Sequence, residues 1–140
     1  MNFFEQELRK IVKPICPDAT YVGRFCFVPL GENNRAKISF ATTRISNHYD
    51  TLQMKIINKG DGEIDASRVS LLDVFGEIDS GNPSAKYPHI WEDGRECSWY
   101  GFRPTQEHYA ALAKTVGDYV ELFQEQTTEQ GMTMQQGMTM

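Results

Sequence analysis

Three alternating segments between residues 20 and 57 constrain the fold of this chain more than any other feature. The segments TYVGRFCFVPL, RAKISFATTR and TLQMKII are rich in β-branched and aromatic residues, and the last two alternate apolar with polar side chains. A period of two is typical of strands that bury one face. The short turn-forming segments GENN and SNHYD connect them, so we predict an antiparallel meander with one apolar face and one polar face.

Helical periodicity flanks this meander on both sides. Apolar residues recur at helical spacing near the N-terminus, where Asn2 is a suitable N-cap and Pro14 removes a donor, so we predict a helix over residues 2–13. A second amphipathic helix opens at Pro104 and Thr105, which are typical of a helix start.

The segment between the meander and the last helix is less regular. Apolar residues at near-helical spacing predict a short helix over residues 66–75, with Asp65 as its cap. Residues 77–95 show no period and are predicted to be a long loop. The segment ECSWYGF alternates again and is predicted to be a fourth strand.

These elements predict an α+β fold in the order α-β-β-β-α-β-α, with a four-stranded, mainly antiparallel sheet packed on one face by the N-terminal and C-terminal helices. We assign one globular domain to residues 1–126. Residues 127–140 are a low-complexity Gln/Met/Thr tail that contains the tandem hexapeptides EQGMTM and QQGMTM. A repeat this short cannot bury a core, so we predict a frayed tail.

The composition favours a soluble cytoplasmic protein. No apolar run approaches the length of a membrane span, and the first residues mix acids and bases with apolar residues, unlike a secretory signal. Cys16, Cys26 and Cys97 show no CxxC spacing, so we predict reduced thiols rather than a disulfide framework or a zinc site. No phosphate-binding glycine motif is present, and no cofactor is predicted.

Charge is unevenly distributed along the chain, whose formal net charge is -5. Residues 1–60 contain nine Lys/Arg and five Asp/Glu, whereas residues 61–96 contain three and nine. The acidic middle segment is either a set of solvated loops or a surface for a partner. In the second case the protein is inhibitor-like and mimics the charge of nucleic acid.

The segment YPHIWEDGRECSWYGF concentrates aromatic side chains at the end of the predicted loop. Tryptophan and tyrosine are enriched at interface hot spots because they bury a large area at little entropy cost. We predict that this segment binds a partner through Tyr87, His89, Trp91, Glu92, Asp93, Arg95, Trp99 and Tyr100. The alternative is that the two tryptophans cover the edge of the core.

Catalysis has weaker support. Cys97 and His89 are the candidate nucleophile and base, but no third orienting group accompanies them. They define the alternative hypothesis, a small enzyme or ligand-binding protein with a pocket around these two residues. His48 with Asp50, and His89 with its neighbouring acids, lack metal-site spacing, so no metal is predicted.

Direct nucleic-acid binding is not predicted. Lys37 and Lys55 fall on the polar face of the meander, with Arg24 near them. However, the alternation of Phe25 and Phe27 with Arg24 and Cys26 assigns both rings to the core side, which leaves no aromatics for base stacking. The sequence therefore favours a non-enzymatic binding or regulatory domain with a protein partner, and it carries no signal for the oligomeric state.

Overall fold

Two antiparallel sheets and three helices make up the part of the chain that the computed structural model describes, which is residues 2–42, 47–76, 88–100 and 103–124. The elements in chain order are α1 (Phe3–Val12), β1 (Thr20–Val22), β2 (Phe25–Pro29), β3 (Asn34–Ala41), β4 (His48–Tyr49), β5 (Thr51–Asn58), β6 (Gly62–Ser70), α2 (Leu71–Gly76), β7 (His89–Asp93), β8 (Glu96–Tyr100) and α3 (Gln106–Glu121). The predicted α+β class is confirmed. The predicted tail lies outside the described residues.

Sheet A has five strands in the order β1-β2-β3-β5-β6, one more than predicted for the whole sheet. The prediction of a helix over residues 66–75 is wrong in its first half, because β6 extends to Ser70 and the helix begins at Leu71. Asp65 does not cap that helix. It lies in β6 opposite Ile56, and it accepts a hydrogen bond from Tyr119 Oη at 2.5 Å.

Sheet B has three strands in the order β4-β7-β8. The predicted fourth strand is β8, and its partner β7 forms from residues that were predicted to be loop. Gly94 has φ 65, so it supplies the left-handed residue that a tight hairpin between β7 and β8 requires. The first part of the predicted loop, residues 77–87, lies outside the described residues.

Helices α1 and α3 confirm the two terminal helix predictions. Asn2 caps α1 by accepting a hydrogen bond from the Glu5 backbone N–H at 2.8 Å. Thr105 and His108 form a reciprocal capping box at the start of α3. None of the helices in the described residues is long and apolar enough to cross a membrane.

The two faces of sheet A differ sharply. Its core face packs beneath the helices and is fully or almost fully buried; it carries Cys26, Val28, Ala36, Ile38, Phe40, Leu52, Met54 and Ile56. Its open face points the other way and carries Phe25, Phe27, Arg35, Lys37, Ser39, Gln53, Lys55 and Arg68.

The assignment of Phe25 and Phe27 to the core side is wrong. Cys26 pairs with Ile38 and Val28 pairs with Ala36, and these four side chains face the core. Since successive residues of a strand point to opposite faces, the two phenylalanines lie on the open face, where Phe25 is 38% exposed.

Candidate functional site

The predicted binding segment is divided between the two faces of sheet B. In the hairpin, His89 pairs with Tyr100, Ile90 with Trp99, Trp91 with Ser98 and Glu92 with Cys97. Side chains alternate along each strand, so the segment separates into an outer set and an inner set. The outer set is His89, Trp91 and Tyr100, and the inner set is Glu92, Cys97 and Trp99.

The outer set forms one continuous ring cluster together with His48. The His48 and His89 rings stack with centroids 4.4 Å apart and planes 11° apart, and His48 meets Trp91 edge-on at 4.7 Å. Tyr100 lies 5.4 Å from His89 and 5.8 Å from Trp91. We call these four residues the outer aromatic face. Tyr100 is 59% exposed and Trp91 is half-buried, whereas His89 is buried.

The sequence did not place His48 with the predicted binding segment. It belongs to the two-residue strand β4, which is too short to show an alternating pattern. Its place opposite Trp91 depends on the pairing of β4 with β7, and no local pattern reports that pairing. Only the nearness of another aromatic, Tyr49, in the segment SNHYD gave a signal in the sequence.

A charged turn adjoins the outer aromatic face. Asp93, Arg95 and Glu96 are exposed at the β7–β8 connection. Asp93 and Arg95 were predicted to bind a partner and are accessible for it. Tyr87, the remaining predicted binding residue, lies outside the described residues.

Glu92 faces inward and is engaged by two other parts of the chain. Arg24, in the β1–β2 turn, donates to both carboxylate oxygens, at 3.1 Å to Oε1 and 2.8 Å to Oε2. Tyr49 Oη donates to Oε1 at 2.6 Å. The bonds from Arg24, and then from Tyr49, lower the pKa of Glu92 to about 2. This carboxylate therefore ties sheet B to sheet A and is occupied within the protein.

Trp99 also faces inward. Its indole Nε1 donates to Glu7 Oε1 at 2.8 Å, and Tyr109 Oη donates to the same oxygen at 2.5 Å. Lys10 donates to the other oxygen of Glu7 at 3.1 Å. Glu7 is only 3% exposed, so these donors supply the hydrogen bonds that a buried carboxylate requires. Glu7 thus joins α1 to β8 and α3, and Trp99 packs against the core.

The structure does not bring Cys97 and His89 together. The hairpin register places the thiol on the inner side of sheet B and the imidazole on the outer side. Partial burial, and then the negative charge of Glu92, raises the pKa of Cys97. A nucleophilic cysteine needs the opposite shift, because its thiolate is the reactive form.

Two surface pockets lie on sheet A, away from this cysteine and histidine. The larger has a volume of about 530 Å³ at the β2–β3 and β5–β6 turns, and the smaller, of about 40 Å³, lies on the open face. Within the described residues, no group of three His, Cys, Asp or Glu side chains is arranged to hold a metal ion.

Comparisons with known proteins add no relative: no family model, no curated protein and no solved structure matches the chain. Function must therefore be argued from the geometry of the described residues.

Proposed function

We propose that this protein is a non-enzymatic binding or regulatory domain that docks a protein partner on the outer aromatic face. The observation that carries the proposal is the ring cluster itself, in which exposed Tyr100 adjoins half-buried Trp91 and the stacked imidazoles of His48 and His89. Aromatic side chains with a polar tip offer large contact area and hydrogen bonds together.

The inner side of sheet B supports this role by holding the strands in place. Glu92 is clamped by Arg24 and Tyr49, and Trp99 is bonded to Glu7. A face that is already ordered loses little conformational entropy when a partner docks.

The charged turn sets the chemistry of the expected partner. Asp93 and Glu96 flank Arg95 at the rim of the outer aromatic face. A partner with an apolar centre and a mainly basic rim would match this arrangement, because rim charges steer association and the centre supplies affinity.

The acidic middle segment contributes less to the proposal than its charge suggests. Among its described acids, Glu92 is bonded to Arg24, Glu63 to Lys55 and Asp65 to Tyr119. Of the described members, Asp93 and Glu96 border the outer aromatic face, so mimicry of a nucleic acid is not needed for the docking proposed.

A quantitative capture experiment tests the proposal. The wild-type protein and the Trp91→Ala/Tyr100→Ala variant serve as baits in native lysate, and each retained protein is then purified and titrated by calorimetry. We expect the double variant to bind the partner at least about tenfold more weakly, as for loss of hot-spot side chains.

Leu122→Ala is the matched control, because Leu122 is an apolar side chain that is 77% exposed just beyond α3. It should bind as wild type does. Equal affinity of wild type and the double variant for the same partner would refute the outer aromatic face as the docking site.

The alternative of a small enzyme or a ligand pocket around Cys97 has its own test. Burial raises the pKa of Cys97 and of Cys16, and raises that of Cys26 to about 12. We therefore expect all three thiols to react slowly with iodoacetamide at neutral pH. Mass spectrometry of the adducts over time measures these rates. Selective fast alkylation of Cys97 would favour the enzyme instead.

A further inference from the structure

The open face of sheet A carries basic and aromatic side chains in adjacent rows. One row crosses three strands, with Phe27 opposite Lys37 and Lys37 opposite Lys55. Arg35 and Arg68 lie on the same face and are exposed. Within the described residues these four cations meet a single carboxylate, Glu63, which pairs with Lys55 at 3.1 Å.

Lys37 and Lys55 lie directly opposite each other on β3 and β5, and Glu63 compensates part of the charge at Lys55. Like charges directly opposite each other on neighbouring strands repel and destabilise a sheet. An anion bound at these two side chains would offset the remaining positive charge, so the pair is suited to a phosphate of a ligand.

The rings lie close to these cations. Lys37 Nζ lies 4.2 Å from the centroid of the Phe25 ring, and the Arg35 guanidinium lies 4.5 Å from that of Phe27. A cation–π contact at an exposed site is weaker than the stacking of a base on an aromatic ring. A nucleotide can therefore stack its base on the aromatic ring while its phosphate pairs with the cation that the ring contacted before.

A small pocket lies on this face beside Phe25. It has a volume of about 40 Å³ and is lined by Phe25, Lys37, Ser39, Gln53 and Lys55. The hydroxyl of Ser39 and the amide of Gln53 are directly opposite each other on β3 and β5. Together they offer a donor and an acceptor beside the ring, which suits a ribose 2′-hydroxyl.

The helices leave this face clear in the described residues. Helix α1 reaches sheet A through contact of Phe4 with Phe40 on the core face, and α3 reaches it through Tyr119 and Asp65. A second copy of the chain is a poor occupant, because it would bring the same four cations against each other. The net charge of -5 is spread over the whole molecule and is screened beyond about 8 Å at physiological ionic strength, so the local cations dominate.

From this arrangement we infer that the open face of sheet A binds single-stranded RNA, with phosphates on Lys37 and Lys55, a base on Phe25 and a ribose at Ser39 and Gln53. This function is separate from the partner docking proposed for sheet B. It reverses the expectation from the sequence, one premise of which was that the phenylalanines face the core.

Fluorescence anisotropy with a labelled oligouridine of about ten nucleotides tests the inference. The titration compares wild type with Lys37→Gln/Lys55→Gln and with Phe25→Ala, between about 50 and 200 mM salt. For wild type, we expect the logarithm of the association constant to fall with the logarithm of the salt concentration at a slope of about -2 to -3. In the double lysine variant the slope should be shallower by about 1.4, because two phosphate contacts are lost. Phe25→Ala should weaken binding about tenfold without changing the slope.

The matched controls are Lys13→Gln/Lys114→Gln, which removes the same charge from an exposed position after α1 and one on α3, and Leu122→Ala. Both should bind as wild type does, and circular dichroism should show that every variant is folded. Absence of wild-type binding at low salt, or equal loss in the charge control, would overturn the inference.

Two further results would reassign the face and overturn the RNA proposal. Equal affinity for an oligodeoxythymidine or a duplex of the same length would show a general polyanion site. A dimer in analytical ultracentrifugation that Phe25→Ala disrupts would show that a second copy covers the face.

Discussion

The carboxylates between the layers and the cations on the open face of sheet A differ in how their charge is compensated. Glu7 accepts hydrogen bonds from Trp99, Tyr109 and Lys10, and Glu92 is held by Arg24 and Tyr49. On the open face, by contrast, Lys37 lies directly opposite Lys55, and of these two lysines only Lys55 has a carboxylate partner among the described residues, Glu63.

This difference separates charge that supports the fold from charge that does not. Removing a buried carboxylate leaves its donors without an acceptor, which costs stability. Removing Lys37 takes away a like-charge repulsion and leaves the Lys55–Glu63 ion pair in place. Substitutions at the two places should therefore change stability in opposite directions.

Glu7→Ala should give the largest loss of stability. It leaves Trp99 Nε1 and Tyr109 Oη without the carboxylate oxygen to which both donate. Glu7 is only 3% exposed, so water does not readily replace this acceptor. We expect the free energy of unfolding to fall by about 3 kcal/mol in urea denaturation. Asp118→Ala, which breaks an exposed ion pair with Lys114, should change the free energy of unfolding far less. A comparable loss in both variants would contradict a special role for Glu7.

Arg24→Ala should cost less, because its side chain is 45% exposed. It removes both hydrogen bonds to Glu92 and the contact of the guanidinium with the Phe4 ring, whose centroid is 4.7 Å away. We expect the free energy of unfolding to fall by about 1.5 kcal/mol. Arg24→Lys keeps the charge but loses the bidentate geometry, so it should fall between wild type and the alanine variant. Full stability of the lysine variant would show that charge alone matters here.

Much of the fold was predictable from local patterns. The helices α1 and α3 follow from apolar spacing and from capping residues such as Asn2 and Thr105, which act within one turn. Strands β3, β5 and β8 follow from alternation. The short β4 and the boundary between β6 and α2 did not, because each depends on pairing with a distant strand.

The sheet face to which a side chain points was less predictable than the presence of the strand. Alternation shows that Phe25 and Phe27 share a face, but not that this face is the open one; the registry of Cys26 with Ile38 decides it. The candidate site has the same limitation. Glu92 is 68 residues from Arg24, so the sequence assigned it to a partner although a distant turn already binds it.

Acid should weaken the contribution of Glu92 to the free energy of unfolding over a defined pH range. Hydrogen bonds from Arg24 and Tyr49 lower the folded-state pKa of Glu92 to about 2, from an ordinary 4.5. Because the folded state binds this proton less readily, the contribution is complete above pH 4.5 and is lost as pH falls toward 2. We expect about 1 kcal/mol after solvent screening.

The measurement is the free energy of unfolding of wild type and Glu92→Gln across that range. The difference between the two proteins should shrink as pH falls, since the glutamine variant has no carboxyl to protonate. Parallel curves for wild type and variant would show that Glu92 does not contribute in this way.

Lys37→Glu should give the smallest change in stability, and the opposite sign. It replaces a repulsion with an attraction to Lys55, so we expect the free energy of unfolding to rise by a few tenths of a kcal/mol. The same change should abolish oligouridine binding, because it puts a carboxylate where a phosphate would sit.

Lys114→Glu is the matched control: it breaks the favourable pair with Asp118, and so should lower stability slightly and leave binding unchanged. A gain in stability together with a loss of binding would show that the Lys37–Lys55 pair is kept for a ligand at the expense of the fold. A loss of stability in Lys37→Glu would instead mean that the cation–π contact with Phe25 outweighs the repulsion, and that Lys37 belongs with the charges that support the fold.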